Sequence, residues 1–402
     1  MGTGERGTTI ERALAPAEVE AANDVTRRWF ASRPHPPAAV SGLGLWPLLT
    51  TLAAGASGRT AAELLDAAGV GPERAESITG GLLGAAASAP ALHLAVGVWA
   101  GASITLDPAW VAKLPSGAVG TLTGEPAADK AALDRWASEE TDGMIERMPL
   151  DCTRRIDLAL ASALAVRTTW GTAFRDAAIP FRSGPWAGLG PCRVLSNTIR
   201  GDVLRVSDEA AVLTVPGHDD IDVLLALGRA DLAPGKVFAA LVDAAADPDW
   251  GRSSEDLRPG ERAPGVTVAE HRAPRPQTAP EVDVRTVRFA VEADLDLSED
   301  AAALGLVRAS DEAHAEFDRL AAEPTHVSQA RQSCVAVFSA TGFKAAAVTA
   351  MAMTRTAGVP QMRHTHRRAS IVFDRPFAYA ARHRPSGLIL VGGWVDEPER
   401  AA

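Results

Sequence analysis

The stretch LALASALAVRTTW, from Leu158 to Trp170, constrains the fold more than any other part of the chain. Leu158, Leu160, Ser162, Leu164 and Val166 share one face by strict alternation, with alanines mostly opposite, which is the pattern of a β-strand. Small residues on one face suit close approach of another layer. The segments before it read differently. From Glu18 to Arg33 the spacing of Ala22, Val25 and Trp29 is helical, and RTAAELLDAAGV suggests a capping box, Thr60 with Glu63, and a stop at Gly69. DKAALDRWASEETDG predicts a further helix ending at Gly143.

Strands dominate after Trp170. AAVLTVPGHDDIDVLLALG reads as two strands around a polar turn, VRTVRFAVEADLDL and CVAVFSA as one each, and SIVFDRPFAYAARHRPSGLILVGGWV as three short strands. Helices early and strands late imply an α+β fold and not a repeating βαβ unit. Residues 1–15 read as a flexible tail and 16–398 as a single domain. Within it, 252–280, rich in Pro, Arg and Glu, is expected to be a surface loop or insert.

Hydrophobic residues at 47% and charged residues at 22% predict a sizeable core. The formal net charge of −10 argues against a nucleic-acid binder. No run is apolar enough for a membrane span or an export signal, so the expected location is cytoplasmic. Cys152, Cys192 and Cys334 are odd in number and match no zinc or redox spacing.

Chemistry-bearing clusters are few. There is no Gly-x-Ser-x-Gly elbow, phosphate loop or His-Glu-x-x-His helix. The cluster GHDDID, with His218 and Asp222, lies between apolar strands and is expected to be a solvated hairpin turn. His364 and His366 have the alternate spacing that puts two imidazoles on one strand face. No third ligand is near in sequence and arginines surround the pair, so no metal site is expected. The basic run Arg363 to Arg368 is expected to be a solvated loop. No nucleophile–base pair is visible, so neither an enzyme nor a cofactor is expected.

FDRPFAYAARHRPSGLILVGGWVDEP resembles the C-terminal signature of serpins, in which Phe-x-Arg-Pro-Phe precedes a turn and a strand ending near Gly-x-Val. LDRWASEETDGMI is similar to that family's helix pattern of Trp136, Thr141, Gly143 and Ile145, and SALAVRTTWGTAF to the central-sheet strand that ends on Trp170. LTVPGHDDIDVLLAL, TLAAGASGRTAAEL and AALGLVRA resemble further serpin segments, all in the family's order from about residue 18 to 398.

The resemblance implies helices packed on a large mixed central β-sheet, further β-sheets and an exposed reactive-centre loop, here with its hinge within residues 339–372. It implies a suicide-substrate inhibitor: a protease attacks the loop, forms an acyl-ester, and the freed loop enters the main sheet as a new strand. The implied partner is a serine or cysteine protease, and the inhibitor is expected to be a monomer. The alternative is a non-inhibitory binding or carrier serpin. Many serpins are secreted, which makes an extracellular location the alternative to the cytoplasm. A bacterial member with an atypical hinge is the expectation.

The implied hinge is Gly342, Phe343, Lys344, Ala345, Ala346, Ala347, Val348 and Thr349. An inserting strand must lack proline, and none occurs from Phe343 to Thr356. Alternation puts Phe343, Ala345, Ala347, Thr349, Met351 and Met353 on the core face. The family hinge usually reads Glu-Glu-Gly-Thr-Glu, where this chain has Ala340, Thr341, Gly342, Phe343 and Lys344. A bulky Phe343 entering a slot shaped for a small residue is expected to cost about 1–3 kcal/mol. Family spacing places the reactive bond at Thr356–Ala357. Arg355 is the alternative, suiting a pocket with a carboxylate, and Met362 or Arg363 could also serve. The implied sheet-opening residues are Trp170, Ser41, Ser162 and Gln332, with Gly44. The family has two serines, an asparagine and a histidine in the matching cluster, so the network is expected to be thinned.

Overall fold

The segment GLGLWPLLTTLAAG carries no charge and is apolar almost all round, and such a helix is stable only when enclosed. In the computed structural model, which describes residues 9–273, 276–343 and 364–401, it is the helix Gly42–Gly55, buried along nearly its whole length. Two compact units form. One comprises the chain to Val166, Val291–Ala336 and His383–Gly392; the other comprises Arg167–Ala290, Val337–Arg382 and the chain from Gly393. Among the described residues three sheets are present, the seven-stranded central one mixed.

In the first unit the strand Leu158–Val166 lies antiparallel to Leu92–Ala100 and parallel to Val327–Phe338, whose residues to Ala336 belong to this unit. Leu158–Val166 is buried on both faces, so its alanines also face protein. Helix Gly42–Gly55 packs on it closely enough that a Cβ at Gly44 would lie 2.5 Å from both Ser162 Oγ and Gln332 Nε2. Helices Pro16–Ser32, Gly58–Ala68 and Pro72–Ala87 pack around that central helix.

Gly69 ends Gly58–Ala68 in the left-handed conformation at φ 66°, as the stop signal predicts. The capping box differs. Thr60 is inside the helix, where its hydroxyl accepts from Glu316 N, and the Glu63 carboxylate accepts from Val307 N and Arg308 N. Both side chains serve tertiary partners instead of the helix start. The tail expectation also changes from Ile10 onward: Ile10–Ala13 is a short helix with Ile10, Ala13 and Leu14 buried.

The second unit holds a sheet in the order Arg262–Ala263, Val266–Ala273, His364–Val372, Glu281–Val287, Pro191–Arg200, Arg175–Pro180. Two expectations are corrected here. The segment 252–280 contains the strand Val266–Ala273, because Val266 and Val268 alternate inward amid the Pro and Arg that mask the period in composition. His364–Arg368 belongs to a strand and not a solvated loop, since its backbone pairs residue by residue with Ala273–Ala269. The GHDDID cluster is a tight hairpin turn between Ala210–Pro216 and Ile221–Gly228, with Asp219 and Asp220 at φ 54° and 58°. Among the described residues, no helix is long and apolar enough to cross a membrane.

Candidate functional site

The first two hinge residues are already a rung of β-structure in the second unit. Phe343 pairs antiparallel with Phe338 on one side and with Thr168 on the other, and Gly342 pairs with Thr169. The chain reverses over Ser339–Thr341, where Ser339 N donates to Gly342 O at 2.9 Å. The other carbonyls of that turn are taken. Trp170 Nε1 donates to Ser339 O at 2.9 Å, Phe174 N to Ala340 O at 2.7 Å, and Trp170 N to Thr341 O at 3.1 Å. Glycine is required at 342, because a Cβ there would lie 2.2 Å from Thr168 O and 2.9 Å from Thr169 Cα. The GHDDID turn braces the same rung: His218 N donates to Thr169 O at 3.0 Å and Thr168 Oγ1 to His218 O at 2.8 Å.

Aromatic rings fill the space beneath. Trp170 lies 5.0 Å from Phe338 between centroids, Phe338 stacks on Phe289 at 5.4 Å, and Phe289 meets Tyr379 at 4.9 Å. Phe343 is fully buried, its ring 6.5 Å from Tyr379. It sits on the face that alternation assigns to the core. In this resting arrangement Phe343 is already enclosed, with Tyr379 as its ring neighbour.

A polar cluster lies in the first unit, where the register sets Gln332 directly beside Ser162. Gln332 Nε2 donates to Ser162 Oγ at 3.0 Å and to Ser41 O at 2.9 Å, while Gln332 Oε1 accepts from Ser41 N at 2.9 Å. Ser41 Oγ donates to Leu390 O at 2.6 Å and accepts from Gly44 N at 3.1 Å, capping the central helix. Ser41, Ser162 and Gln332 are wholly buried. The thinned network expected from the residue types is therefore corrected: one glutamine amide serves both serines through its two functional ends. Cys334 Sγ adds a contact to Gln332 Oε1 at 3.2 Å, and full burial pushes its thiol pKa far up.

The structure thus brings Ser41, Ser162, Gln332 and Gly44 together, and places Trp170 separately, against the turn before the hinge. Sequence reading missed Thr168, Phe338 and Tyr379 as the seat of Phe343. The alternation of Phe338 with Ala336 and Cys334 is the one local signal that could have pointed to it. Lys344, Ala345, Ala346, Ala347, Val348 and Thr349, the bond at Thr356–Ala357, and Arg355, Met362 and Arg363 lie outside the described residues.

Comparisons with known proteins converge on one architecture. The family model described as serpin (serine protease inhibitor) matches residues 17–180 and 267–398. Glia-derived nexin of Rattus norvegicus is 32% identical over 112 residues, a match covering 28% of this chain and 26% of that protein. The chain thus spans about a quarter of the length of the nexin relatives it matches. Serpin-Z6C of Oryza sativa subsp. japonica is 24% identical over 390 residues, covering 89% of this chain and 90% of that one.

Among solved structures, native protease nexin-1 with heparin superposes with a TM-score of 0.70 at 20% identity, covering 96% of this chain and 100% of that one. Human thyroxine-binding globulin in complex with its ligand gives 0.71 at 17%, covering 96% and 98%. At these identities the likeness is one of fold. With the family model covering most of the chain, the motif order from residue 18 to 398 and the three-sheet architecture around a mixed central sheet, this protein belongs to the serpin family.

Proposed function

We propose that this serpin inhibits a serine or cysteine protease as a suicide substrate, cleaved between Lys344 and Arg363 and trapping the protease when the freed segment enters the central sheet. The observation that carries the reading is the Gly342–Phe343 rung, paired on both sides before any cleavage. A strand end already in register removes the least favourable step of adding a strand, the first pairing, after which each further residue satisfies its backbone groups as it is fixed. The proline-free stretch to Thr356 can continue that pairing. In the inserted strand its alternation would continue the parity of Phe343, with Ala345 and Ala347 on the core face and Lys344 on the other.

The chemistry on this reading belongs to the protease, and the serpin supplies the bait and the conformational change. Thr356–Ala357 is the proposed reactive bond, with Arg355 the residue that a carboxylate-bearing pocket would select. A second reading, a non-inhibitory binding or carrier serpin, is favoured by Lys344 at a position usually acidic in the family and by the likeness to thyroxine-binding globulin. Two measurements separate them. Nicking the loop with a protease of broad specificity should raise the melting temperature of an inhibitor sharply, and a target protease should yield an SDS-stable adduct. A nicked protein that melts where the intact one does refutes insertion.

A further inference from the structure

His271, Glu281 and His366 are far apart in sequence, and the sheet register puts them on one face. His271 is the direct partner of His366 across antiparallel strands. Glu281 precedes Val282, which aligns with Ala369, so Glu281 falls beside Arg368, on the face that Arg368 shares with His366. The two imidazole rings are 5.8 Å apart between centroids, and donor atoms of all three residues lie within 4.8 Å of one another. The His364–His366 spacing shows no third donor in sequence, whereas the fold brings His271 and Glu281 to His366 from the neighbouring strands.

Two features set this cluster apart from a chance grouping. His271 Nε2 is buried without a hydrogen-bond partner among the described residues, and such an orphaned nitrogen is costly unless something fills it. Glu281 is fixed in place by two arginines. Arg368 bonds one Glu281 oxygen, and Arg200 Nε lies 3.3 Å from the other. A carboxylate has further lone pairs to offer a cation while keeping such bonds. The positive charge of Arg368 is shared with Asp283 at 3.4 Å, so Arg200, Arg368, Glu281 and Asp283 sum to zero on this face.

The geometry points to a binding site for a divalent transition metal of the zinc class, with His271, His366 and Glu281 as its protein ligands. Two imidazoles and a carboxylate form a zinc donor set that leaves a fourth position open. Zinc bonds near 2.0–2.1 Å require donors roughly 3.3 Å apart in a tetrahedron, within reach of small side-chain rotations from the present spacing. The strand His364–Val372 lies between the other two in the sheet and begins where the segment holding the proposed reactive bond ends. A bound metal would therefore staple the far anchor of that segment to both lateral neighbours. The site stands independently of whether the protein inhibits a protease.

The test uses the full-length, untagged protein stripped with EDTA. Calorimetric titration with zinc chloride should give one equivalent bound, and Co²⁺ should develop the strong visible bands of a tetrahedral nitrogen–oxygen site. Zinc should raise the melting temperature reversibly, as a ligand of the folded state must. His271→Gln, His366→Gln and Glu281→Gln should each weaken binding at least about tenfold, since even outer-shell changes cost that much. His314→Gln, an exposed histidine elsewhere, should not. Should a variant fail to fold, nitrogen NMR of the wild type decides, because zinc must shift the ring nitrogens of two histidines. No stoichiometric binding, unshifted histidines, or cobalt bands that survive in folded His271→Gln would overturn the site.

Discussion

Gln332→Leu is the substitution that asks most of the polar cluster. It keeps the buried volume and removes the amide, stranding Ser41 N, Ser41 O and Ser162 Oγ, each of which has a Gln332 bond at 2.9–3.0 Å. A buried polar group left without its partner costs about 1–3 kcal/mol. Three of them, offset by the apolar burial of leucine, give a loss of about 3–6 kcal/mol. For 402 residues, unfolding entropy near 2.1 cal/mol/K per residue amounts to about 0.8 kcal/mol/K, so the melting temperature should fall by about 4–7 °C. Ser162→Ala removes one contact while Gln332 Nε2 keeps Ser41 O, and should cost about 1 kcal/mol, or about 1 °C. The assay is differential scanning calorimetry of intact protein at one scan rate. A Gln332→Leu protein melting within about 1 °C of wild type, or no lower than Ser162→Ala, refutes the assignment of Gln332 as the common partner of both serines.

Gly44→Ala should destabilise the intact protein by about 1–3 kcal/mol, because its Cβ would meet Ser162 Oγ and Gln332 Nε2 at 2.5 Å; equilibrium denaturation reads this directly. Phe343→Ala empties a fully buried aromatic site and should cost about 3–5 kcal/mol in the same measurement if the hinge is seated in solution, and almost nothing if it is not. Glu18 bonds Arg74 and Ala15 N; burial raises its carboxyl pKa, but those partners outweigh it and leave the pKa lowered. Its stabilising contribution is therefore complete above the unfolded carboxyl pKa, about 4.3, and lost as pH falls through the lower folded value. Glu18→Gln should flatten the acid limb of stability against pH, and an unchanged limb contradicts the pairing.

What could be read from sequence divides along the range of the interactions. The strand Leu158–Val166, the helix stop at Gly69 and the GHDDID turn depend on neighbours within a few residues, and local alternation or turn chemistry was enough to find them. Gln332 was misjudged because its worth depends on Ser41 and Ser162, which lie 291 and 170 residues away. Residue types suggested a depleted network; geometry lets one side chain do the work of several. The strand Val266–Ala273 was hidden by its composition, and with it His271, whose meeting with His366 and Glu281 is a matter of register across three strands. Register is a long-range property that a single sequence states only weakly.

The hinge and the polar cluster bear on the same two chain segments, and they pull in opposite directions. Near one end of these segments, Phe338 and Thr168 flank Phe343, so a third strand has begun between them. Further along, from Val335 back to Val327, the same strands pair directly with Ala165 to Leu158, and the Gln332–Ser162 bond ties side chains across that ladder. Continued entry of the loop on the proposed mechanism must break this direct ladder while forming two new ones, so the net gain is about one ladder of bonds at about 0.5–1.5 kcal/mol each. The direct ladder and its amide tie must be lost before most of that gain accrues, which makes them the barrier and the hinge rung the nucleus. Ser162→Ala should then speed loop entry after cleavage by the whole of its cost to the intact fold, about fivefold for about 1 kcal/mol, in the way that interactions broken before a transition state act on rate. Stopped-flow tryptophan fluorescence after nicking reads that rate, and an entry rate equal to wild type would mean that the barrier lies elsewhere than in the Gln332–Ser162 tie.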